Sequence, residues 1–323
     1  MAQRALSTSI GFLLPPILRN EVGETRTVGI EVEFAGTSAE AAVRALHRTF
    51  GGTIIEEDPH AYQLMGSIIG DMSIELDSRM LHPGKRTKIG ALPRIAAWCG
   101  FAASYIVPCE LVTAPIPMDR LHEIDQVLTI LRGIGAKGTQ DAAFYAFGLH
   151  FNSEVPKQDA QTALAFLKSF VLLNAWLRRE VAPDVTRDLL GFASPFPLGY
   201  VRMIAAPDYW PSMERFIDDY LAASPTRNRD LDLLPLLHHF DAQRVRALLP
   251  NEKINGRPTF HYRLPDARVS DAGWSIAPEW NRWVAVERLA ADRDQLNALG
   301  SAFLAFSGEP KSWANVVERV ALT

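Results

Sequence analysis

Residues 27–35 read TVGIEVEFA, a strict alternation of apolar and polar positions. Period two marks a strand with one face packed on a core. Val28, Ile30, Val32 and Phe34 share that face, and Gly29, Glu31 and Glu33 share the other. Thr37 or Ser38 then offers a side-chain oxygen to cap a helix over Ala39–Phe50. The same alternation predicts strands at Ala61–Met65 and at 71–77, where Asp71, Ser73, Glu75 and Asp77 oppose Met72, Ile74 and Leu76. The stretch 80–93 carries Gly, Pro and basic residues including Lys85, Arg86 and Lys88, and reads as a loop; a helix to Phe101 follows it. A β-branched run at 103–117 reads as a strand, and Pro108 within it implies an edge position or a bulge. An amphipathic helix follows from Met118, ended by Gly133 or Gly135, and then an alternating strand over 142–154.

The second half changes character. A long helix with an apolar face is expected over 157–182, a Pro-rich aromatic segment with helical patches over 183–228, and short helices over 230–249. One late strand, TFHYRLP at 259–265, precedes a final helix near Pro278. A strand so late in the chain is expected to join the early sheet, which argues for one catalytic domain over 1–323. Residues 1–25 would then be an arm packed on that domain, and 157–250 a helical insertion within it. The fold class is α+β, a curved antiparallel sheet with helices on its outer face.

Composition narrows the functional classes. A net charge of −4 gives no general attraction to nucleic acid or anionic membrane, so neither is an expected partner. Cys99 and Cys109 form no C-x-x-C pair, which removes zinc-ribbon and thioredoxin-type readings. Two thiols fit a reducing, cytoplasmic setting, with a disulfide as the lesser alternative. Ile10–Leu18 is too short and proline-broken for a signal sequence, and no other stretch is expected to reach the roughly 20 apolar residues of a membrane span. There is no G-x-x-x-x-G-K-[ST] loop and no G-x-S-x-G elbow.

Candidate chemistry lies on the polar faces of the strands. Glu31 and Glu33 stand about 7 Å apart on one side, given a rise of about 3.3 Å per residue. Asp71, Glu75 and Asp77 repeat the pattern, as do His150 with Asn152 and His261 with Arg263. A solvated face explains any one of these strands. Together they converge carboxylates, imidazoles and a guanidinium. Acids on a shared face repel unless a cation neutralises them, and oxygen donors with some imidazole suit magnesium or manganese better than zinc. His238 and His239 lie in an apolar helical segment and read as structural.

Five motifs in order resemble the amidoligase family of the glutamine synthetase and glutamate–cysteine ligase superfamily. They are GIEVEF (Gly29–Phe34), DMSI (Asp71–Ile74), ELVTAP (Glu110–Pro115), GLHFN (Gly148–Asn152) and HYR (His261–Arg263), and the resemblance covers about 26–268. It implies a glutamine synthetase/guanidino-kinase-like catalytic domain. It implies that Glu31, Glu33, Glu110 and His150 hold magnesium (manganese being possible), with His261 a further ligand standing where the family usually has Glu. Arg263 would neutralise ATP phosphate and, with His261, act in catalysis. Asn152 stands where the family commonly has His. The implied activity is ATP-dependent joining of a small-molecule or peptide carboxylate to an amine through an acyl phosphate. A guanidino-kinase-like phosphotransferase, or an inactive ligand-binding member of the fold, is the alternative. Lys253 and Arg257, in the loop ahead of the last strand, are candidates for gripping phosphate or selecting substrate, against the simpler reading of ordinary loop charges.

Overall fold

The computed structural model describes residues 11–76, 108–142, 145–183 and 193–322. The expected loop at 80–93, the helix to Phe101, Asp77 and Cys99 lie outside these residues. β1 (Thr27–Phe34) forms as the alternation predicts, with Val28, Ile30, Val32 and Phe34 fully buried. The other strands are β2 (Thr53–Asp58), β3 (Ala61–Met65), β4 (Met72–Leu76), β5 (Cys109–Thr113), β6 (Ile116–Pro117), β7 (Leu149–Glu154), β8 (Leu231–Asp232) and β9 (Thr259–Tyr262). They form one open antiparallel sheet in the order β2-β3-β4-β5-β1-β7-β9-β8, and β6 pairs with the start of β1. The late strand thus joins the early ones through β7.

Pro108 proves to be neither in an edge strand nor at a bulge. It sits just ahead of β5, which lies in the sheet interior between β4 and β1, so its missing N–H is never asked of a ladder. The strand expected over 142–154 begins only at Leu149. β2 and β8 escaped the pattern reading. β2 is an exposed edge strand with no buried face to impose alternation, and β8 is two residues long.

Helices cover the apolar face. α1 (Ala39–Phe50) is capped by Ser38, whose side chain accepts from Ala41 N at 3.1 Å, and it ends at Gly51 with φ +68°. It packs on β3 and β4. A 3-10 turn, Met118–Glu123, leads into α2 (Ile124–Gly133), so the single helix expected there is divided. Behind β7 and β9 lie α3 (Ala160–Val181) and α8 (Ala277–Ala291). Phe166 of α3 stacks on Phe260 at 4.6 Å, and Trp283 of α8 on Tyr262 at 5.5 Å. Between these come α4 (Leu198–Ala205), α5 (Met213–Ala223), α6 (Leu234–Phe240) and α7 (Ala242–Leu248). The chain continues through α9 (Arg293–Ala305) and α10 (Trp313–Ala321).

α3 corrects one expectation. By length and mean hydropathy it could cross a membrane, although no such stretch was anticipated. Here 72% of its most apolar window is buried inside the protein, against α8, α9 and α10.

Residues 11–25 lie along α8. Leu13 N donates to Asn281 Oδ1 at 2.8 Å, and Trp280 Nε1 donates to Leu13 O at 2.8 Å. Arg26, immediately before β1, is fully buried and paired with Glu287 of α8 at 2.7 Å. The strand that carries the polar motif is therefore anchored at its head to the rear helices.

Candidate metal- and phosphate-binding face

Register turns the separate motifs into rows across one face. Glu33 of β1 lies opposite Glu110 of β5, and Glu110 opposite Glu75 of β4. Glu31 lies opposite His150 of β7. Gly29 lies opposite Asn152, Asn152 opposite His261 of β9, and His261 opposite Asp232 of β8. Strand alternation puts all of these on the side away from the helices. The face thus carries carboxylates on β4, β5, β1 and β8 and imidazoles on β7 and β9, with Arg257 at Glu31 and Arg227 at Asp232.

Glu31 is the hub. It is 7% exposed, and its carboxylate accepts from Asn152 Nδ2 at 2.8 Å and meets His150 Nδ1 at 2.9 Å. Arg257 Nη1 lies 3.9 Å from it and His261 Nε2 3.7 Å. Burial alone would raise the Glu31 carboxyl, but the hydrogen bond with His150 and the imidazoles of His150 and His261 beside it hold it well below the usual carboxylate range. Burial pushes His150 down to about 3, so its ring is neutral. A neutral ring beside a carboxylate donates through Nδ1–H and keeps a lone pair on Nε2. The protein itself thus compensates Glu31, where repulsion among acids was the expectation. Glu33 is half-buried, and its Oε2 accepts from Gly148 N at 2.8 Å.

Two donor sets have atoms within 4.8 Å of one another, Glu31–His150–His261 and Glu33–Glu110–His150. They share His150, whose one lone pair can serve only one of them at a time, while the four carboxylate and imidazole partners remain divided between the two. The residues fit a cation on a further observation. Asn152 Oδ1 and His261 Nε2 are buried without a hydrogen-bond partner, in side chains only 5% and 4% exposed. Buried polar atoms left unpaired are costly, and a cation in the Glu31–His150–His261 set would satisfy His261 Nε2.

Arg263 is buried and donates through Nη1 to Arg227 O at 2.6 Å. Arg227 pairs with Asp232 at 3.0 Å. Burial would raise the Asp232 carboxyl, but His261, Arg227 and Arg263 outweigh it and lower its pKa. The sequence reading missed Asp232 and Arg227. The signal for Asp232 was the short alternation RDLDLL at 229–234, which was absorbed into an expected helical segment, and Arg227 lay in the Pro-rich segment ahead of it. Arg257 sits beside the cluster, its Nη1 3.9 Å from Glu31. Lys253 does not: its side chain is exposed, and its carbonyl alone is engaged, by Arg227 at 3.5 Å. Asp71 also stays out of the carboxylate row. Its Oδ1 accepts from Gly66 N at 2.6 Å and closes the turn between β3 and β4.

An open cavity of about 190 Å³ lies on β3, β4 and β5, beside the carboxylate rows. Gln63, Met65, Ser73, Val112 and Ala114 line it together with Asp71, and among the described residues no basic side chain does. His239 bonds to Gln158 at 2.7 Å, and His238 lies with its Nδ1 beside the Gly256 backbone, away from the cluster. Cys109 is a free, buried thiol that burial pushes up to about 11.

Comparison with known proteins agrees with this face. No curated protein matches the chain, and no solved structure does. A family model described as "Putative amidoligase enzyme" matches residues 24–285, a span that contains every donor and arginine placed above. The chain belongs to the amidoligase family.

Proposed function

We propose that this protein is an ATP-dependent ligase that joins a carboxylate to an amine on the polar face of the sheet, working in the cytoplasm. One observation carries the reading: a single face that gathers carboxylates, imidazoles and arginines. That combination suits a polyphosphate held by cations on the acids and by guanidinium groups. Membership of the amidoligase family favours amide formation over phosphorylation of a guanidino group.

Glu33 and Glu110 would hold one divalent ion, and Glu31, His150 and His261 another. When bound, such ions neutralise charge on the transferring phosphoryl group. Arg263, fixed by the Arg227 carbonyl, would grip phosphate oxygens, with Arg257 beside it. A substrate carboxylate oxygen attacks the γ-phosphorus, and ADP leaves. The amine nitrogen then attacks the carbonyl carbon of the acyl phosphate, phosphate leaves, and the nitrogen loses a proton. The protein contributes chiefly position and charge. The cavity over β4 and β5 has thioether and aliphatic walls with an acid and no base, which suits an amine or an acyl chain better than a phosphate.

Titration calorimetry with a non-hydrolysable ATP analogue, with and without magnesium or manganese, tests the reading. Binding should need the divalent ion for full strength and should weaken at least tenfold in Arg263→Ala. An analogue that fails to bind under either condition counts against a ligase.

A further inference from the structure

The two donor sets are chemically unlike. Glu33, Glu110 and His150 offer two carboxylates and one imidazole, a mainly hard set. Glu31, His150 and His261 offer one carboxylate and two imidazoles, His150 through Nδ1 once its proton sits on Nε2, and all three are buried. Two imidazoles with one carboxylate favour first-row transition ions, because nitrogen donors gain more from them than from magnesium, which prefers oxygen and retained water.

The surroundings of His261 sharpen this. Its Nδ1 faces Asp232 Oδ2 at 3.5 Å, and its Nε2 faces Glu31 Oε2 at 3.7 Å without a hydrogen bond. With the Nδ1 proton toward Asp232, the Nε2 lone pair looks at a carboxylate oxygen, an unfavourable pairing that a cation between them reverses. The two rings stand edge to face, with centroids 5.2 Å apart and planes at 81°. Asp232 is fully buried and tied by Arg227 and by Leu234 N at 3.0 Å, so it is a fixed acceptor. A carboxylate behind a ligating imidazole sets its tautomer and raises its basicity.

We infer that Glu31, His150 and His261 form a site that takes a first-row transition-metal dication in preference to magnesium, with Asp232 as the positioning residue for His261. The inference rests on the ligase reading only for the reaction the ion serves. Its selectivity is read without turnover.

The probe is cobalt(II), added at one equivalent to the full chain, with magnesium as competitor. X-ray absorption of the wild-type sample should show two imidazoles on the ion, and fewer than two overturns the site. Calorimetry should show His261→Gln lowering cobalt affinity at least tenfold while magnesium affinity moves less than threefold. Equal losses for both ions, or no loss for cobalt, overturn the selectivity. Asp232→Asn should lower the cobalt-to-magnesium preference about tenfold. An unchanged preference in that variant removes Asp232 from the role. If His261→Gln does not fold, the wild-type spectrum decides. A positive metal result in a protein that makes no amide from any substrate would sink the ligase reading and leave this site standing.

Discussion

Glu287→Gln is the sharpest probe of how the strand carrying Glu31 and Glu33 is anchored. Arg26 and Glu287 are 0% and 1% exposed, and their two contacts measure 2.7 and 3.0 Å. Glu287 Oε1 also accepts from Trp283 Nε1 at 2.7 Å and Ser153 Oγ at 3.2 Å. Neutralising the carboxylate strands the guanidinium charge in the core and turns an amide N–H toward it. Breaking a buried pair from one side costs about 3–5 kcal/mol. Arg26 keeps the carbonyls of Ile17 and Glu154 as acceptors, so the loss should fall near the low end, about 3 kcal/mol. The double variant Arg26→Met/Glu287→Leu should lose at least about 1 kcal/mol less than Glu287→Gln, since no charge is left behind. Urea unfolding followed by far-UV circular dichroism at pH 7 in a chelator reads both. A loss under about 1 kcal/mol for Glu287→Gln, or a double variant weaker than the single one, would refute the reasoning.

Glu31→Gln should abolish turnover and also destabilise the chelator-treated protein by about 1–3 kcal/mol, because it gives up charge-assisted bonds from His150 and Asn152; equal or higher stability in urea would show that repulsion among the acids dominates. Arg263→Lys should lower kcat/KM at least tenfold with the circular dichroism spectrum unchanged, since a point charge cannot keep the Arg227 carbonyl and grip phosphate together. Lys168 is buried in α3, donates to Ala206 O at 2.9 Å and lies 3.9 Å over the Trp210 ring, and burial with Arg293 nearby pushes its pKa down to about 8. Because the folded value lies below the unfolded value of about 10.4, the unfolded chain binds more protons between the two, and stability should rise with pH across that window. Lys168→Met should remove this rise, and a rise of equal size in that variant would exclude Lys168 as its source.

β1 could be read from sequence because each of its apolar side chains meets the core, so selection for burial writes period two directly. The same holds for β4 and β9. Register could not be read: nothing local tells Glu33 that it faces Glu110, or His261 that it faces Asp232. The rows that make the site come from strands more than two hundred residues apart, and their order is a tertiary property. Motif resemblance supplied Glu110 and the candidate metal-ligand set before any geometry did. It could not supply Asp232, which lies outside the five motifs on a two-residue strand. Nor could it show that Lys253 turns to solvent while Arg257, four residues on, reaches Glu31. The α3 helix shows the converse limit. Its composition would pass for a membrane span, and only its packing among three other helices reveals a core element.

The most direct test of the central claim follows the oxygen atom of the carboxylate. The full chain is incubated with ATP, magnesium or manganese, and pooled amines with pooled carboxylic acids labelled with oxygen-18, and the products are weighed by mass spectrometry. The account predicts a product equal in mass to one acid plus one amine less water, one ADP per amide, and one labelled oxygen in the released phosphate. A phosphorylated amine in place of the amide, or ADP formation that no acid and amine pair raises above the rate with ATP alone, would contradict it.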